Sequence, residues 1–436
     1  MRQGPRLRIC LIVVGLLFTV ASNGLADVSP GDVIGQENWE KAEGLLPEPV
    51  LDWVKAGDIF LNVAELKYDP ADYRNDECKA TLESNKGKYD LDKDDMIIEK
   101  ATGKFPDFID GVPFPESEID ASDPKAGTKI VYNKFYYTYV QGNQKLPFGT
   151  IWVSRKNGLE REVSCEWQQY PMDGLLARKG APNRDGYERF SLIRVLAPFD
   201  IAGTNILLMR YRGKNMDSTL AYVPAIRRVR RMSPANRSDS FIGSDCCVDD
   251  AWLFDGKAIA FEWKVIRKQQ ALLPFLDTDV QPLERGPAGS LVTGKGIKQI
   301  RYGYDDPSWK GAPWLPTNLV WVKRPAYLLE VTPKDPYYNY GKQYIWVDAQ
   351  VNMMMVWKVI NDRAGNYWKT VWYSYAGFAT PDGKDRMVGG TSMLCQDDRT
   401  EHGTIIRFPE PENQWVYKAT LNKNDYSLGG FQKLCK

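Results

Sequence analysis

From about residue 129 onward the chain breaks into short segments rich in β-branched and aromatic side chains. Each is bounded by Gly, Pro, Asn or Asp. About eleven such segments can be marked: 129–140, 149–153, 163–170, 190–196, 206–211, 221–229, 319–322, 327–331, 343–347, 353–360 and 367–375. Eleven strands with turn residues between them predict a mainly β fold, a large antiparallel sheet, curved or barrel-like. The clearest meander is 343–375. There Met353, Met355, Trp357 and Val359 share one face by the strand period of two, and Met354, Val356 and Ile360 share the other. Apolar side chains on both faces mean that something must cover each side.

Residues before 129 read differently. The stretch 38–46 is amphipathic and is broken by Pro47; 49–57 reads as a short helix with Pro at its start and Gly57 at its end. The span 75–128 is rich in Asp, Lys, Gly and Pro, so it predicts a long ordered loop region with short elements. The expected organisation is a leader over 1–26, a helical and loop region over 27–128, and a β domain over 129–436 that forms one unit with it.

The leader has the three parts of a cleavable secretory signal. Arg2, Arg6 and Arg8 precede a short apolar run at 9–20, and small residues Gly24 and Ala26 precede Asp27. The run is shorter than the about 20 residues of a membrane span. Removal of 26 residues leaves 410, with 54 basic and 56 acidic side chains, a balance that does not point to nucleic acid. Six cysteines remain: Cys78, Cys165, Cys246, Cys247, Cys395 and Cys435. An even number in an exported chain fits disulfides, with Cys395 and Cys435 one plausible pair.

Histidine chemistry is nearly excluded. His402 is the single histidine, set in a polar stretch that reads as a solvated loop. There is no GxSxG elbow and no P-loop. The adjacent pairs Asp249-Asp250, Asp305-Asp306 and Asp397-Asp398 point to opposite faces if extended, so none is by itself a catalytic dyad. Asp90, Asp92 and Asp94 resemble the start of a calcium loop, but Asp95 and Ala101 stand where Gly and Glu are needed. Arg227, Arg228, Arg230 and Arg231 form the sharpest basic cluster. It suits either an anionic group such as a phosphate or lipid headgroup, or internal pairing with Asp239, Asp245, Asp249 and Asp250. No metal or cofactor is expected.

Three segments carry a family resemblance. Residues 105–115 contain Gly111-Val112-Pro113-Phe114-Pro115. Residues 222–231 read Tyr-x-Pro-x-x-Arg-Arg-x-Arg-Arg, and 239–245 read Asp-Ser-Phe-x-Gly-Ser-Asp, with Asp249-Asp250 following. The chain resembles bacterial domain-of-unknown-function family 1329, similar to outer-membrane lipoprotein-sorting carriers of the LolA/LolB type. Val112 stands where that family has Leu, and Cys246-Cys247 replace an apolar or aromatic pair. The resemblance implies a strongly curved antiparallel sheet, an open half-barrel with a few helices plugging its concave face, an apolar cavity and a periplasmic, non-enzymatic carrier of lipid-like cargo. It also implies an inner-membrane exporter of the resistance-nodulation-division type and an outer-membrane protein as partners. On that reading the stretches around Trp39 and Trp53 form the plug, and Leu208, Tyr222, Trp252, Phe254, Trp346, Met353, Met355, Trp357 and Trp372 line the cavity. Two other readings stay open: a glycan-active envelope enzyme using a carboxylate pair, and a structural adaptor of an envelope transporter.

Overall fold

The computed structural model describes residues 28–408 and 413–435. The leader 1–26 lies outside them. The described residues are built around one 18-stranded sheet. Its principal strands are β1 (Gln144–Ser154), β2 (Gly158–Pro171), β3 (Tyr187–Ala197), β4 (Asn205–Tyr211), β5 (Ser218–Val223) and β6 (Arg228–Met232). They continue with β7 (Phe261–Phe275), β8 (Gln281–Arg285), β9 (Val320–Pro333), β10 (Gln343–Asp348) and β11 (Met355–Asn361). The last are β12 (Tyr367–Ala379), β13 (Arg386–Asp397) and β14 (His402–Arg407).

An unbroken antiparallel path runs β6–β5–β4–β3–β2–β1–β14–β13–β12–β11–β10–β9–β7. The far end of β7 then meets β12 in parallel through Phe275 and Tyr375, and β8 continues that contact. The sheet therefore curls almost shut at the β7–β12 end and stays open at the β1–β6 end, as the right-handed twist of successive strands favours.

Indoles fill the closed end. Trp321, Trp357 and Trp372 stack with centroids 5.3–5.8 Å apart, and the Trp357 indole donates to the Leu272 carbonyl at 3.1 Å. Trp346, Trp357 and Trp372 are register partners on β10, β11 and β12. The opposite face of β2–β5 is covered by the C-terminal segment: Tyr426 and Phe431 pack on Tyr170, Phe190, Leu192, Leu207 and Leu220.

Four helices are present among the described residues: α1 (Glu48–Ala56), α2 (Asp76–Ser84), α3 (Ala126–Tyr139) and α4 (Leu428–Leu434). For α1, Pro49 sits in the first turn and Gly57 caps in the left-handed region at φ 76°, as its sequence predicts. By contrast, 129–140 is not a strand. It belongs to α3, buried everywhere except at Lys129. A helix buried all round loses the 3.6-residue stripe that distinguishes it from a buried strand. Its side chains bridge distant parts. Asn133 bonds Asn352 and Phe114, the Lys134 amine donates to the Phe254 carbonyl, and Tyr139 donates to Glu188 at 2.6 Å. Full burial lowers the Lys134 pKa to about 7.

Two further readings are corrected. All six cysteines are free thiols, and Cys395 and Cys435 occupy different places: Cys395 lies beside Asp245, Cys435 beside Asn205. The segment 221–229 is two strands, β5 and β6, joined by a turn at Pro224–Ile226. Among the described residues no helix is long and apolar enough to cross a membrane.

Candidate functional site

The segment 241–260 contributes no strand. It lies over the concave side of the sheet as a chain of short turns, Phe241–Gly243, Val248–Leu253 and Ala258–Ala260. Three non-glycine residues in it, Ile242, Trp252 and Leu253, hold left-handed φ values of 45°, 53° and 67°. Such conformations cost of order 1–3 kcal/mol each and persist only where surroundings dictate them.

Four aspartates supply those surroundings, each tied to a different place. Asp245 accepts from His402 Nδ1 at 2.6 Å and from Thr404 Oγ1 at 2.7 Å, both on β14. Asp249 accepts from Arg237 Nε at 2.7 Å and from the Tyr338 hydroxyl at 3.0 Å. Asp250 accepts from Lys358 Nζ on β11 at 2.6 Å, from the Tyr340 hydroxyl at 2.7 Å and from the Cys247 amide at 2.8 Å. Asp255 pairs with Arg189 on β3 at 2.5 Å. Burial raises the Asp249 carboxyl despite its arginine. Burial also pushes Asp250 up, but the Lys358 charge and the Cys247 amide pull harder and leave it below the ordinary carboxylate value.

These contacts correct the expected pairing of these acids with the arginine cluster. Asp249 and Asp250 are engaged by Arg237, Lys358 and two tyrosines, not by Arg227–Arg231. His402 is not a solvated loop residue either. It opens β14 with its side chain 18% exposed. Its pKa is raised, chiefly by the hydrogen bond to Asp245. A raised imidazole pKa stabilises the fold fully below the ordinary value of 6.5 and loses that contribution as pH rises through the folded value. The urea midpoint should therefore fall from pH 6 to pH 9 by more in the native chain than in His402→Phe. Equal slopes would show that the pair carries no pH-dependent stability.

Under this anchored segment lies an apolar cavity of about 70 Å³. The plug supplies Phe241, Cys246, Cys247, Val248, Ala251 and Trp252. The facing wall comes from Leu146 and Phe148 on β1, Trp167 on β2, Ile193 on β3, Tyr373 on β12, Met393 on β13 and Ile406 on β14, with Phe408 after it. Trp252 centres an aromatic cage, 5.2 Å from Trp167, 5.8 Å from Tyr373 and 6.2 Å from Phe408, the last stacked nearly parallel to it at 7°. Phe148, Ile193, Ala251, Trp252 and Phe408 are only half-buried, so the mouth lies among them. The Tyr373 hydroxyl is buried and has no hydrogen-bond partner among the described residues.

Of the nine residues expected to line a cavity, the structure brings Trp252 to this one. Phe254 packs against Phe135, Phe261 and Trp263 instead. Trp357 and Trp372 belong to the indole stack, with Trp346 their register partner. Met355 is fully buried on β11, and Met353 precedes that strand, beside Gln141. Leu208 is buried on β4, and Tyr222 on β5 packs on the α4 side of the sheet. None of the cavity-lining residues comes from the Trp39 or Trp53 segments. Trp53 donates to Asp398 instead, at 3.0 Å. Met393, Ile406 and Phe408 went unmarked by sequence because β13 and β14 were not recognised as strands.

The other acidic features have local duties. Asp397 accepts from Trp368, Asp398 from Trp53 and Tyr367, and Asp306 caps its own turn at Ser308. Asp92 accepts the amides of Asp94 and Met96 at 2.9 Å. Among the described residues no group of three or more His, Cys, Asp and Glu is placed to hold a metal ion.

No curated protein matches the chain. The solved structures to which the chain is similar include the following three. A "putative outer membrane lipoprotein-sorting protein domain" from Vibrio parahaemolyticus is 15% identical with a TM-score of 0.47, over 72% of this chain and 100% of that one. A DUF1329 family protein from Desulfovibrio piger is 18% identical with a TM-score of 0.45, over 71% and 99%. A LolA superfamily protein from Nitrosomonas europaea is 13% identical with a TM-score of 0.38, over 67% and 92%. Residues 33–431 match the family described as Protein of unknown function (DUF1329), and with nearly the whole chain covered, the protein belongs to that family.

Proposed function

We propose that the protein is a non-enzymatic binding protein for an apolar, lipid-like molecule, held between the 241–255 plug and the open half of the sheet. The observation that carries this reading is the cavity itself: a partly open space walled by apolar side chains and an aromatic cage around Trp252. Burial there is worth about 0.8 kcal/mol per methylene, so binding needs no bond chemistry. The carboxylates of the plug are held by Arg, Lys, His and Tyr partners, which suits a structural latch better than acid–base work. The arginine-led apolar leader supports export, and we place the protein in the periplasm, where a lipid-like molecule needs shielding from water.

At about 70 Å³ the cavity is roughly half the 150 Å³ space that takes a benzene-sized ligand. An acyl chain of many methylenes therefore requires the plug to lift, and the mouth at Ile193, Ala251 and Phe408 is where it would enter. Mass spectrometry of lipids co-purifying with the protein tests the reading. Ala251→Leu, which adds three heavy atoms to the cavity wall, should weaken binding of an environment-sensitive acyl probe about tenfold with little change in melting temperature. Undiminished probe binding in that variant, together with no co-purifying lipid, would remove the proposal.

A further inference from the structure

The arginine cluster has no part in the cavity. Arg227, Arg228, Arg230 and Arg231 are all exposed, on β6 and the turn that precedes it. Neighbouring arginines are engaged in the interior, Arg189 with Asp255, Arg210 with Asp217 and Arg237 with Asp249. By contrast, none of these four has a carboxylate within 4.0 Å among the described residues. Among the described residues strand β6 pairs only with β5 in the sheet, so the arginines stand on an open edge.

The turn beside them is apolar. Pairing of Arg194 with Asn205 and of Asn205 with Tyr222 puts the β3–β4 loop and the β5–β6 turn at the same end of the sheet. They touch: a Cβ added at Gly203 would stand 3.4 Å from Pro224 Cγ. Phe199, in that loop, is 98% exposed, and Leu196 and Ile226 are 47% and 45% exposed. Val223 adds to the same tip. Over 194–203 and 221–232 the charged residues are five arginines and Asp200, whose carboxylate is held by Arg161 at 3.2 Å. A fully exposed phenylalanine gains nothing from the fold, and with Arg194 paired to Glu166 at 3.7 Å and Asp200 neutralised, the four unpaired arginines leave a strongly positive collar around an apolar tip.

We propose that this end of the sheet, Leu196, Phe199, Val223 and Ile226 ringed by Arg227, Arg228, Arg230 and Arg231, docks onto an anionic lipid bilayer. The match is one of charge and depth. Apolar tips enter the headgroup boundary while arginines, whose long stems let the guanidinium reach outward, meet phosphates. An acidic peptide strand added to β6 would satisfy the arginines but would leave Phe199 and Leu196 in water, so the bilayer accounts for more of the surface. This surface is separate from the cargo cavity, and its failure would not bear on it.

Vesicle flotation of the purified protein tests the inference, using vesicles of phosphatidylcholine with and without phosphatidylglycerol. The anionic vesicles should bind at least about tenfold better, and the advantage should collapse at high salt. Each Arg→Gln change at 227, 228, 230 or 231 should cost about fivefold in partitioning, and Phe199→Ser about tenfold. These side chains are exposed, so melting temperatures should not move, and Ala251→Leu should partition like the native chain. Equal binding to both vesicle types would overturn the proposal. So would a quadruple arginine variant that floats like the native protein, or tight binding of an acidic peptide without any flotation.

Discussion

Lys358→Met should cost about 3–5 kcal/mol in unfolding free energy, the largest loss expected from any single polar change among the contacts that anchor the plug. Lys358 and Asp250 are both wholly inaccessible to solvent, 2.6 Å apart. Removing the ammonium leaves a buried carboxylate with the Tyr340 hydroxyl and the Cys247 amide as its remaining hydrogen-bond donors and Lys369 as a more distant positive charge. The penalty comes from the stranded charge, not from the lost attraction. Combining Lys358→Met with Asp250→Asn should therefore recover at least half of the loss, since the amide oxygen still accepts both remaining hydrogen bonds. Urea unfolding of the two single variants and the double variant reads this directly. A double variant no better than the sum of the singles would show that the pair is not a coupled unit. Acyl-probe binding should weaken in Lys358→Met as well, because Asp250 anchors the turn that carries Ala251 and Trp252.

Trp357→Ala should be comparably severe, at about 3–5 kcal/mol. Trp357 is fully buried between Trp321 and Trp372, so truncation opens a large void at the closed end of the sheet. The same change orphans the Leu272 carbonyl, which accepts from the indole at 3.1 Å. Trp357→Phe keeps much of the ring area and should cost less than half as much. A thermal melt distinguishes the two variants. If Trp357→Ala melted within about 2 °C of the native chain, the stack would not be a stability element. Because the stack lies apart from the cavity, probe affinity should survive in whatever fraction remains folded.

The strand pattern was legible where strands carry apolar residues in runs. The meander 343–375 reads as β10, β11 and β12 because each is short, apolar and bounded by turn residues. The strand β7 was not legible. It runs through Lys264, Arg267, Lys268, Gln269 and Gln270 with its middle exposed, so the polar run hides its apolar ends. Nor was β13, whose Gly389-Gly390 reads as a loop. Those glycines are there for a tertiary reason: a Cβ on Gly390 would fall 1.9 Å from the Tyr373 ring, which forms a wall of the cavity. The buried helix α3 failed in the opposite sense, its β-branched and aromatic residues, buried on every face, imitating a strand although Gly142 marks its end.

The sequence by itself determined the class of fold, the short N-terminal helix, the family and the arginine cluster, because periodicity, turn residues and local motifs are properties of neighbouring positions. Which groups meet was decided only by the tertiary structure. Asp250 and Lys358 are 108 residues apart, Asp245 and His402 157. Whether Asp245, Asp249 and Asp250 serve as catalysts, arginine partners or anchors depends on what faces them across the sheet. The cavity is likewise assembled from one plug and six strands. No local pattern records that Trp252, held in a left-handed turn, meets Trp167, Tyr373 and Phe408, or that Phe199 is left in solvent beside four unpaired arginines.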